Sequence, residues 1–586
     1  MDKTLLVTAL KQFIETEFQA QKDALTPLWK LPVARRIQEG VCVTDLRLRS
    51  VNDGVLRVQI TTNLSRFRTG DALLLNAGDP TGARVPVTLE DDHDVGTMTI
   101  WTLRAFQKGL LDQFTRHYRP EVWCLDQDLV DLRDFTLKAL DQYQNLPKAE
   151  DRISRVLFGN LPAPGVDPFV FPPPEFNGSQ QQAYRSAMGN PLLTVIQGPP
   201  GTGKTSVLAE IALRYASRGE MVMVTGFTHR SINNALNRIQ SLNSQHKYSS
   251  VRVFKVGQKY NADDLVDVKN FETLQDAQAA AGSHRRGMVV GATCFAVGTK
   301  RLHDEHKRPV VFDLQIFDEA SQMSLPVAIM GMLGARRYVM IGDHQQMPPV
   351  IVGQHEDPSV TRSVFETVFS HSPGTMLDTT YRMNHGVNRF PSDTFYRGKL
   401  VSFPGIQDRT LPLLKPPVKH VLELGSEHAS VWVEVYHQVE TTSSPLEADW
   451  VCSIIEEALQ CGLPAREMAV VTPYRLQVRL IRQLLRQRFG QVPVLVDTVE
   501  RIQGQERELV LVSLVSSSMP QDDQAEFFFQ PNRLNVAITR AKCKRVVVGN
   551  PALLGEGAQH AVEGLEVFRA LHECSVRVQT MGAPTT

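Results

Sequence analysis

A glycine-rich segment at residues 198–205 has the residue types that bind the phosphates of a nucleotide. It reads GPPGTGKT and matches the pattern G-x-x-x-x-G-K-[ST]. Glycines let backbone N–H groups close around phosphate oxygens, and the start of a following helix adds the positive end of its dipole. Lys204 would reach the outer phosphates and the Thr205 hydroxyl would ligate Mg²⁺. An unliganded glycine-rich turn is the alternative, but the apolar run before the motif and the helical stretch after it favour a phosphate site.

A phosphate site of this kind needs carboxylates opposite its lysine. Asp318 and Glu319 follow the apolar segment LQIF. Asp318 suits the coordination of Mg²⁺, and Glu319 suits activation of an attacking water. A DE pair alone is more often a solvated turn, so the prediction depends on its position at the end of a strand in a chain that also carries a phosphate loop.

Net charge, length and cysteine content limit the class of protein. The 586 residues include 63 basic and 63 acidic side chains, so composition neither indicates nor excludes a basic groove. The seven cysteines form no CxxC pair, which argues against a zinc module and predicts reduced thiols. No run approaches the ~20 apolar residues of a membrane helix. Glu15 and Glu17 interrupt the apolar start, so we predict no signal peptide and a location in the cytoplasm, or in the nucleus of a eukaryote.

The N-terminal quarter of the chain changes its periodicity twice. Leu6, Leu10 and Phe13 mark an amphipathic helix. Alternating strands with turn residues between them then predict a small antiparallel barrel, and helical periodicity returns after it. Six prolines in 161–174 predict an extended connector. The predicted units are stalk helices at 1–40, the barrel at 41–105, further stalk helices at 106–150 and a proline-rich linker at 151–175.

Beyond the linker, short apolar runs alternate with helical stretches. Continuous apolar strands are buried on both faces, which is typical of parallel sheets covered by helices. Eight runs are too many for one small sheet, so we predict an α/β fold with two tandem parallel-sheet domains, at 176–370 and 371–586. The runs are LLTVI (192–196), MVMVT (221–225), GMVVGAT (287–293), YVMIG (338–342), AVVT (469–472), VLVD (494–497), LVLVSLV (509–515) and RVVVG (545–549).

Several ordered motifs narrow the kind of nucleotide-binding protein. They are FNGSQQQA, FTHRSINNAL, VVGATCFAV, FDEASQ, GDHQQMPPV, YRMN, VVTPYRLQV, TVERIQGQE and NVAITRAK. With the phosphate loop, they make residues 176–555 resemble superfamily 1B helicases of the branch of up-frameshift RNA-surveillance helicases. TVERIQG departs conservatively from that branch, which usually has an aromatic residue in this motif. The resemblance implies two RecA-like domains and a barrel on a helical stalk.

The resemblance implies an ATP site shared between the two domains. Gln180 would recognise adenine and Tyr381 would pack beside it, Gln346 would couple the γ-phosphate to domain movement, and Glu506 would lie near the ribose. Arg382 and Arg540 would contact the γ-phosphate; each would otherwise be an ordinary surface charge. This agrees with the need for cations on the equatorial oxygens in phosphoryl transfer. The predicted nucleotide contacts also include Gly198, Gly201, Thr202 and Gly203.

The resemblance further implies contacts to a single strand at the ends of β-strands. Hydroxyls and backbone amides there can hold phosphates without reading bases, although ordinary loop capping is the alternative. Short basic groups at 66–68 and 284–286 could add a basic rim or be solvated loops. The matching positions are Thr228, His229, Thr293, Pro473, Tyr474, Arg475 and Thr498.

These features favour a monomeric, ATP- and Mg²⁺-dependent translocase or helicase on single-stranded DNA or RNA. Movement from 5′ to 3′ is implied by the resemblance alone. One rival is an ATP-operated clamp or switch that unwinds little. A ring-forming ATPase that remodels proteins is a second rival, but Arg382 and Arg540 lie in the same chain as the phosphate loop, which argues against a site completed by a neighbouring subunit.

Overall fold

A computed structural model describes most of the chain. The residues it describes are 2–60, 65, 67, 70–95, 98–162, 170–246, 251–262, 264–282, 287–304, 306–372, 374–502, 504–517, 529–555 and 563–580. The basic groups predicted at 66–68 and 284–286 and the middle of the proline-rich segment fall largely outside these residues.

The N-terminal helix α1 spans Lys3–Trp29 and is capped by Asp2, whose side chain accepts a hydrogen bond from the Leu5 N–H. Its buried residues recur every three or four positions, as the sequence predicts. A short helix, α2 (Val33–Gln38), leads to the N-terminal sheet. The helices that return from this sheet are α3 (Lys108–His117), α4 (Arg133–Gln144) and α5 (Arg152–Leu157).

The predicted barrel is a seven-stranded antiparallel sheet, called here the N-terminal sheet, in the order β1-β7-β4-β5-β6-β3-β2. Its strands enclose one apolar core that includes Trp101 and Trp123. The sheet extends beyond residue 105, because β7 pairs with both β1 and β4. Sequence patterning missed β7 since it has only four residues and one is the buried Asp126. The strands are β1 (Cys42–Val43), β2 (Arg47–Asn52), β3 (Val55–Ile60), β4 (Ala72–Asn76), β5 (Arg84–Val95), β6 (Met98–Ala105) and β7 (Cys124–Gln127).

The first parallel sheet has the order β11-β10-β12-β9-β13-β14-β8-β15. Every residue of β8, β13 and β14 is buried, because apolar clusters lie on both sides of the sheet. The strands are β8 (Leu193–Gln197), β9 (Met221–Gly226), β10 (Arg252–Val256), β11 (Lys269–Phe271), β12 (Met288–Gly291), β13 (Leu314–Asp318), β14 (Tyr338–Gly342) and β15 (Thr375–Met376). The helices are α6 (Gly178–Gly189), α7 (Lys204–Ser217), α8 (His229–His246), α9 (Leu274–Ala281), α10 (Cys294–Val297), α11 (Leu325–Met332) and α12 (Val364–Phe369).

The second parallel sheet has the order β20-β19-β21-β22-β18-β23, and a two-stranded parallel pair, β16 and β17, precedes it in the chain. Two further apolar clusters cover its faces. The strands are β16 (Thr379–Thr380), β17 (Val401–Ser402), β18 (Ser430–Glu434), β19 (Met468–Thr472), β20 (Leu495–Thr498), β21 (Arg507–Ser513), β22 (Ala541–Gly549) and β23 (Val576–Gln579). The helices are α13 (His385–Phe395), α14 (Val421–Leu424), α15 (Pro445–Gln460), α16 (Arg475–Phe489), α17 (Val499–Ile502), α18 (Pro531–Ile538) and α19 (Glu563–Cys574).

Single 3₁₀ turns connect several of these elements. They are Pro120–Val122, Lys259–Asn261, Lys300–Leu302, Ala320–Gln322, Pro404–Ile406, Ala465–Glu467 and Pro551–Leu554. Within the described part of the chain, every helix is too short or too polar to cross a bilayer.

The two tandem parallel-sheet domains predicted from the sequence are confirmed, and all eight apolar runs form strands. Pattern reading missed β10 and β18 because charged residues shorten their apolar runs. In β10, Lys255 is buried and its ammonium group donates to the Asn233 side chain and the Asn261 carbonyl. A charge inside a parallel sheet is stable only with such partners, and the sequence alone does not show that they are close.

A buried ion pair ties the stalk to the N-terminal sheet. The Nε of Arg36, in α2, lies 2.8 Å from the Asp126 Oδ1 of β7, and both side chains are almost fully buried. The same guanidinium donates to the carbonyls of Leu31 and Gly78, at 3.1 and 2.8 Å. Burial raises the pKa of Asp126, and Asn76 and Arg36 act in the opposite direction. The sheet therefore depends on Arg36 to keep a buried carboxylate balanced.

We expect Arg36→Met to lower the free energy of unfolding of the N-terminal part by about 3–5 kcal/mol, because it leaves Asp126 buried without its cation. Chemical denaturation followed by tryptophan fluorescence measures this, since Trp101 and Trp123 lie in the affected core. Arg35→Met is the matched control, because Arg35 is exposed on the same helix. Equal loss of stability in the two variants would contradict the assignment.

Candidate active site

The phosphate loop lies between β8 and α7 in the first parallel sheet. Gly201 and Gly203 have φ angles of 73° and 81°, in the left-handed region that favours glycine. A Cβ at Gly198 would lie 2.1 Å from the Lys204 side chain, so this position too requires glycine. Helix α7 begins at Lys204, which directs its free N–H groups at the loop. The loop therefore has the conformation and the dipole that an anion needs.

The lysine and the acidic pair meet at the carboxyl edge of this sheet. The Lys204 Nζ donates to the Gly198 carbonyl at 2.7 Å and lies 3.9 Å from Glu319 Oε1. The carboxyl ends of β8 and β13 lie at the same edge, because all strands of the sheet are parallel. Thr205 lines the same cavity as both acids. The sequence predicted that these side chains meet, and the fold brings them together.

Asp318 lies deeper than Glu319. Burial raises the pKa of Asp318 to about 7, and the neighbouring Glu319 adds to the effect, while Lys204 opposes it. Among the described residues, no cation lies within ion-pair distance of the Asp318 carboxylate. A buried carboxyl and a hydroxyl that line one cavity are oxygen ligands of the kind that Mg²⁺ uses. The residues present therefore fit a magnesium ion.

Backbone contacts join the phosphate loop to the segment that carries Tyr381 and Arg382. The Tyr381 N–H donates to the Gly201 carbonyl at 2.8 Å. A Cβ at Gly201 would lie 2.4 Å from the Cβ of Arg382, so the glycine permits this close approach. The Arg382 Nε donates to Glu506 Oε2 at 2.7 Å, and its Nη1 donates to the Thr539 carbonyl at 3.0 Å. Residues that the sequence places far apart thus border one loop.

Arg540 is the more deeply buried of the two arginines, with 3% of its surface exposed. Its Nε donates to the Val536 carbonyl at 3.0 Å, and its Nη2 lies 3.5 Å from Gln346 Oε1. Burial and the charge of nearby Arg382 lower its pKa to about 9. No carboxylate of the described residues forms an ion pair with Arg540. The site therefore holds a buried cation that an anion would stabilise.

Glu506 is the carboxylate that pairs with the cations next to Arg540. Burial acts to raise its pKa, but Arg382 and Lys542 outweigh that effect and hold the pKa below the usual value. The Lys542 Nζ lies 3.5 Å from Glu506 Oε1. Glu506 is thus ionised and already paired, and its predicted position near a ribose stays a prediction.

Gln346 lies between the two parallel-sheet domains. Its Nε2 donates to Asp343 Oδ2 at 2.7 Å, and the buried Asp343 also accepts from the Tyr396 hydroxyl at 2.7 Å. Gln197, at the end of β8, donates to the other carboxylate oxygen at 3.2 Å. A continuous set of hydrogen bonds therefore runs from the phosphate-loop strand through Asp343 and Gln346 to Arg540. Asp343 and Tyr396 were missed, and the GDHQQ motif carried the signal for Asp343.

Gln180 lies beside the phosphate loop, but its amide is already engaged. Its Oε1 accepts from the Asn177 N–H at 3.1 Å and its Nε2 donates to the Thr202 carbonyl at 3.0 Å. Adenine recognition by Gln180 stays a prediction and would require these bonds to be exchanged. Tyr381 stacks near Phe403, with ring centroids 5.0 Å apart, and its hydroxyl accepts from Asn177 Nδ2 at 3.0 Å. Phe403 was missed because no motif marks it.

The predicted strand contacts of the first domain line the same cavity as the phosphate loop. Its volume is about 1390 Å³, and its wall includes Thr228, His229 and Thr293. Burial and the charges of Lys255 and Arg301 lower the pKa of His229 to about 4, so His229 is neutral at physiological pH. Its ring can form hydrogen bonds but adds no positive charge.

The predicted strand contacts differ in their local surroundings. The Thr228 hydroxyl accepts from the Ser231 N–H at 3.1 Å, which is the ordinary cap of α8. Thr293 precedes α10 without forming a side-chain cap. Pro473, Tyr474 and Arg475 follow β19, and the buried Thr498 ends β20, but none of these four lines the large cavity. The geometry therefore groups the first-domain residues with the phosphate site and leaves the second-domain ones apart.

Comparison with known proteins gives two family models, both described as an AAA domain. One matches residues 175–287 and 275–354, and the other matches residues 360–552. Together they cover more than half of the chain and both parallel-sheet domains.

Several curated relatives also match the chain. "DNA polymerase alpha-associated DNA helicase A" of Schizosaccharomyces pombe is 30% identical in an alignment of 434 residues that covers 64% of each chain. "DNA replication ATP-dependent helicase/nuclease DNA2" of Homo sapiens is 25% identical and covers 92% of this chain, and "ATP-dependent helicase upf1" of S. pombe is 28% identical and covers 66%. The matches span 64%, 53% and 46% of these relatives, so the chain aligns with less than two thirds of each.

Among solved structures, "Complex structure of Arterivirus nonstructural protein 10 (helicase) with DNA" matches at 17% identity with a TM-score of 0.35, over 66% of this chain and 64% of that chain. The ordered motifs, the two parallel-sheet domains and the family models agree with one another. The chain belongs to the superfamily 1 helicases, in the branch of the up-frameshift helicases and their relatives.

Proposed function

We propose that the chain is an ATP-driven translocase and helicase on single-stranded nucleic acid. The observation that carries the proposal is that groups from both domains of one chain line one cavity. The first domain contributes the phosphate loop and the acidic pair, and the second contributes the two arginines. Phosphoryl transfer is catalysed by positioning and by charge stabilisation, and these groups supply both. Family membership supports the same activity.

The residues have distinct roles in this proposal. Lys204 and the loop N–H groups bind the outer phosphates. Thr205 and Asp318 would hold Mg²⁺, which would supply positive charge to the phosphates. Glu319 orients a water and accepts its proton. Arg382 and Arg540 stabilise the charge that develops on the transferred group. Because both arginines come from the same chain as the loop, a monomer suffices.

Domain closure couples this chemistry to movement along a strand. Gln346 contacts Arg540 and Asp343, so loss of the γ-phosphate changes the bonds between the domains. The adjoining wall of the cavity, with Thr228, His229 and Thr293, is the proposed strand path in the first domain. The 5′→3′ direction is part of the proposal on the strength of the resemblance, and the names of the relatives favour DNA as the first substrate to test.

A strand-displacement assay on DNA and RNA duplexes with 5′ or 3′ tails tests the proposal. We expect ATP-dependent unwinding of the 5′-tailed duplex. ATP hydrolysis that is stimulated by single strands without unwinding would favour the rival function, an ATP-operated nucleic-acid clamp or switch. A cytoplasmic location and the monomeric state stay predictions.

We expect Glu319→Gln to bind ATP and strand but to hydrolyse ATP very slowly, because the amide keeps the shape of the side chain and cannot accept a proton. Filter binding and single-turnover hydrolysis measure the two properties separately. Glu366→Gln, an exposed change in the same domain, is the control. Loss of ATP binding in Glu319→Gln would indicate a structural or metal-binding role.

We expect Arg540→Ala to lower kcat by about 10³-fold or more while the KM for ATP changes little, since the guanidinium acts on transition-state charge. Arg577→Ala, at an exposed position of β23, is the control. Mixing Arg540→Ala with Lys204→Ala should restore nothing. Recovered activity in the mixture would show that the arginine acts between chains.

We expect replacement of residues 41–127 by a Gly/Ser linker to leave basal ATP hydrolysis within about threefold and to weaken single-strand binding. The ends of this segment meet, because Cys42 pairs with Asp126, while Phe67 and Gly70 border the large cavity. Strand affinity is measured by fluorescence anisotropy. Unchanged affinity, stimulated hydrolysis and unwinding would reassign the N-terminal sheet to partner docking.

A further inference from the structure

A carboxylate in the stalk helix clamps the loop that leaves the nucleotide cleft. Glu17 lies in the middle of α1 and is 8% exposed. Its Oε2 accepts from the Val352 N–H at 2.9 Å, and its Oε1 accepts from the Gly353 N–H at 2.8 Å. His355 Nε2 lies 2.7 Å from the same Oε1 and is the donor, because a carboxylate only accepts. Three donors on one carboxylate make a strong, directional contact.

Two close approaches accompany the hydrogen bonds of Glu17 to this loop. The Phe13 ring stacks on the His355 ring, with centroids 4.7 Å apart. A Cβ at Gly353 would lie 3.0 Å from both Glu17 Oε1 and Thr16 Cγ2. The loop backbone therefore approaches α1 closely at Gly353, and the contact cannot slide without breaking its hydrogen bonds.

The other end of the same loop lies in the nucleotide cleft. Gln346 contacts Asp343 and Arg540, as described above. The second domain also holds the backbone here, because Asn532 Nδ2 donates to the Gln346 carbonyl at 2.6 Å and Asn535 Nδ2 donates to the Gln345 carbonyl at 2.7 Å. Five residues lie between Gln346 and Val352, and the prolines at 348 and 349 fix φ and stiffen the link. The link between Gln346 and the residues that Glu17 holds is therefore short and conformationally restricted.

Helix α1 links this loop to the N-terminal sheet. Its 27 residues extend about 40 Å at 1.5 Å per residue. At its far end the Trp29 Nε1 donates to the Gln127 carbonyl of β7 at 3.0 Å, and the buried Arg36–Asp126 pair fixes α2 to the same strand. The helix is thus anchored at the cleft loop in its middle and at the sheet at its end.

We propose that Glu17 is a positioning residue that couples closure of the nucleotide cleft to the position of the stalk and the N-terminal sheet. The proposal deepens the proposed function and rests on it: ATP-driven closure moves Gln346, the stiff loop moves Glu17, and the sheet moves with the helix. Glu17 touches no reacting group, so it governs how hydrolysis is used rather than whether it occurs.

The test compares Glu17→Gln with the parent in basal ATP hydrolysis, strand-stimulated hydrolysis and ATP consumed per base pair unwound. The glutamine amide keeps the volume but turns a donor toward the loop N–H groups. We expect the basal rate and the KM for ATP within about twofold of the parent, and a stimulated kcat and unwinding yield lowered at least about fivefold. Glu15→Gln is the matched control, because that side chain is 52% exposed on the same helix.

A cross-link keeps the test decisive if Glu17→Gln also loses stability. Thr16→Cys with Gly353→Cys places two sulfurs within reach of a disulfide, as the 3.0 Å approach of Thr16 Cγ2 to a Cβ at 353 indicates. In the Glu17→Gln background we expect oxidation to restore stimulated hydrolysis and unwinding, and reduction to remove them. The parent carried through both treatments controls for its seven native cysteines.

The outcomes distinguish failure of the proposed Glu17 coupling from failure of the proposed function. A parent without strand-stimulated hydrolysis would overturn the proposed function itself. If strands stimulate hydrolysis by the parent and the Glu17→Gln variant shows the same stimulation and unwinding, only the proposed Glu17 coupling is overturned. Oxidation that restores the basal rate but not the stimulated rate would show that the Glu17 contact is purely structural. That result would also overturn the proposed Glu17 coupling.

Discussion

Two guanidinium groups close together in a buried cleft are the constraint on which the rest of the site depends. Arg382 and Arg540 are near enough for the charge of the first to lower the pKa of the second, and burial lowers it further. Of the two arginines, only Arg382 forms an ion pair with Glu506. Such an arrangement is unfavourable without an anion and becomes favourable when one is bound. The phosphate loop opposite the arginines supplies the place for that anion.

The same constraint explains why the two domains need each other. The phosphate loop contacts Tyr381 and Arg382 through backbone atoms, and Gln346 bridges Asp343 and Arg540. Neither sheet alone holds both the anion site and its counter-charges. In the proposed function, nucleotide binding acts on the relative position of the domains, and in the proposed coupling the loop after Gln346 gives that change a route to the stalk through Glu17.

Much of this arrangement could be predicted from the sequence because each motif specifies the local conformation of its own segment. A glycine-rich loop before a helix, an acidic pair after a strand and continuous apolar runs each specify a conformation with few alternatives, and the fold class follows from their order. What could not be predicted depends on distant partners. The charged residues Lys255 and Asp126 interrupt the apolar patterns of β10 and β7, so these strands were not predicted. The hydrogen bonds of the Gln180 amide depend on the positions of Asn177 and Thr202 in the fold. The Glu17 contact joins positions more than 330 residues apart and carries no motif.

The central claim is that one chain holds a complete, strand-activated ATP site between its own two domains. The most direct measurement is ATP turnover per protein molecule over a wide range of protein concentration, with and without single-stranded DNA or RNA. The account predicts turnover that is stimulated by the strand and constant per molecule at every concentration. Absent hydrolysis, or turnover per molecule that rises with protein concentration, would contradict it.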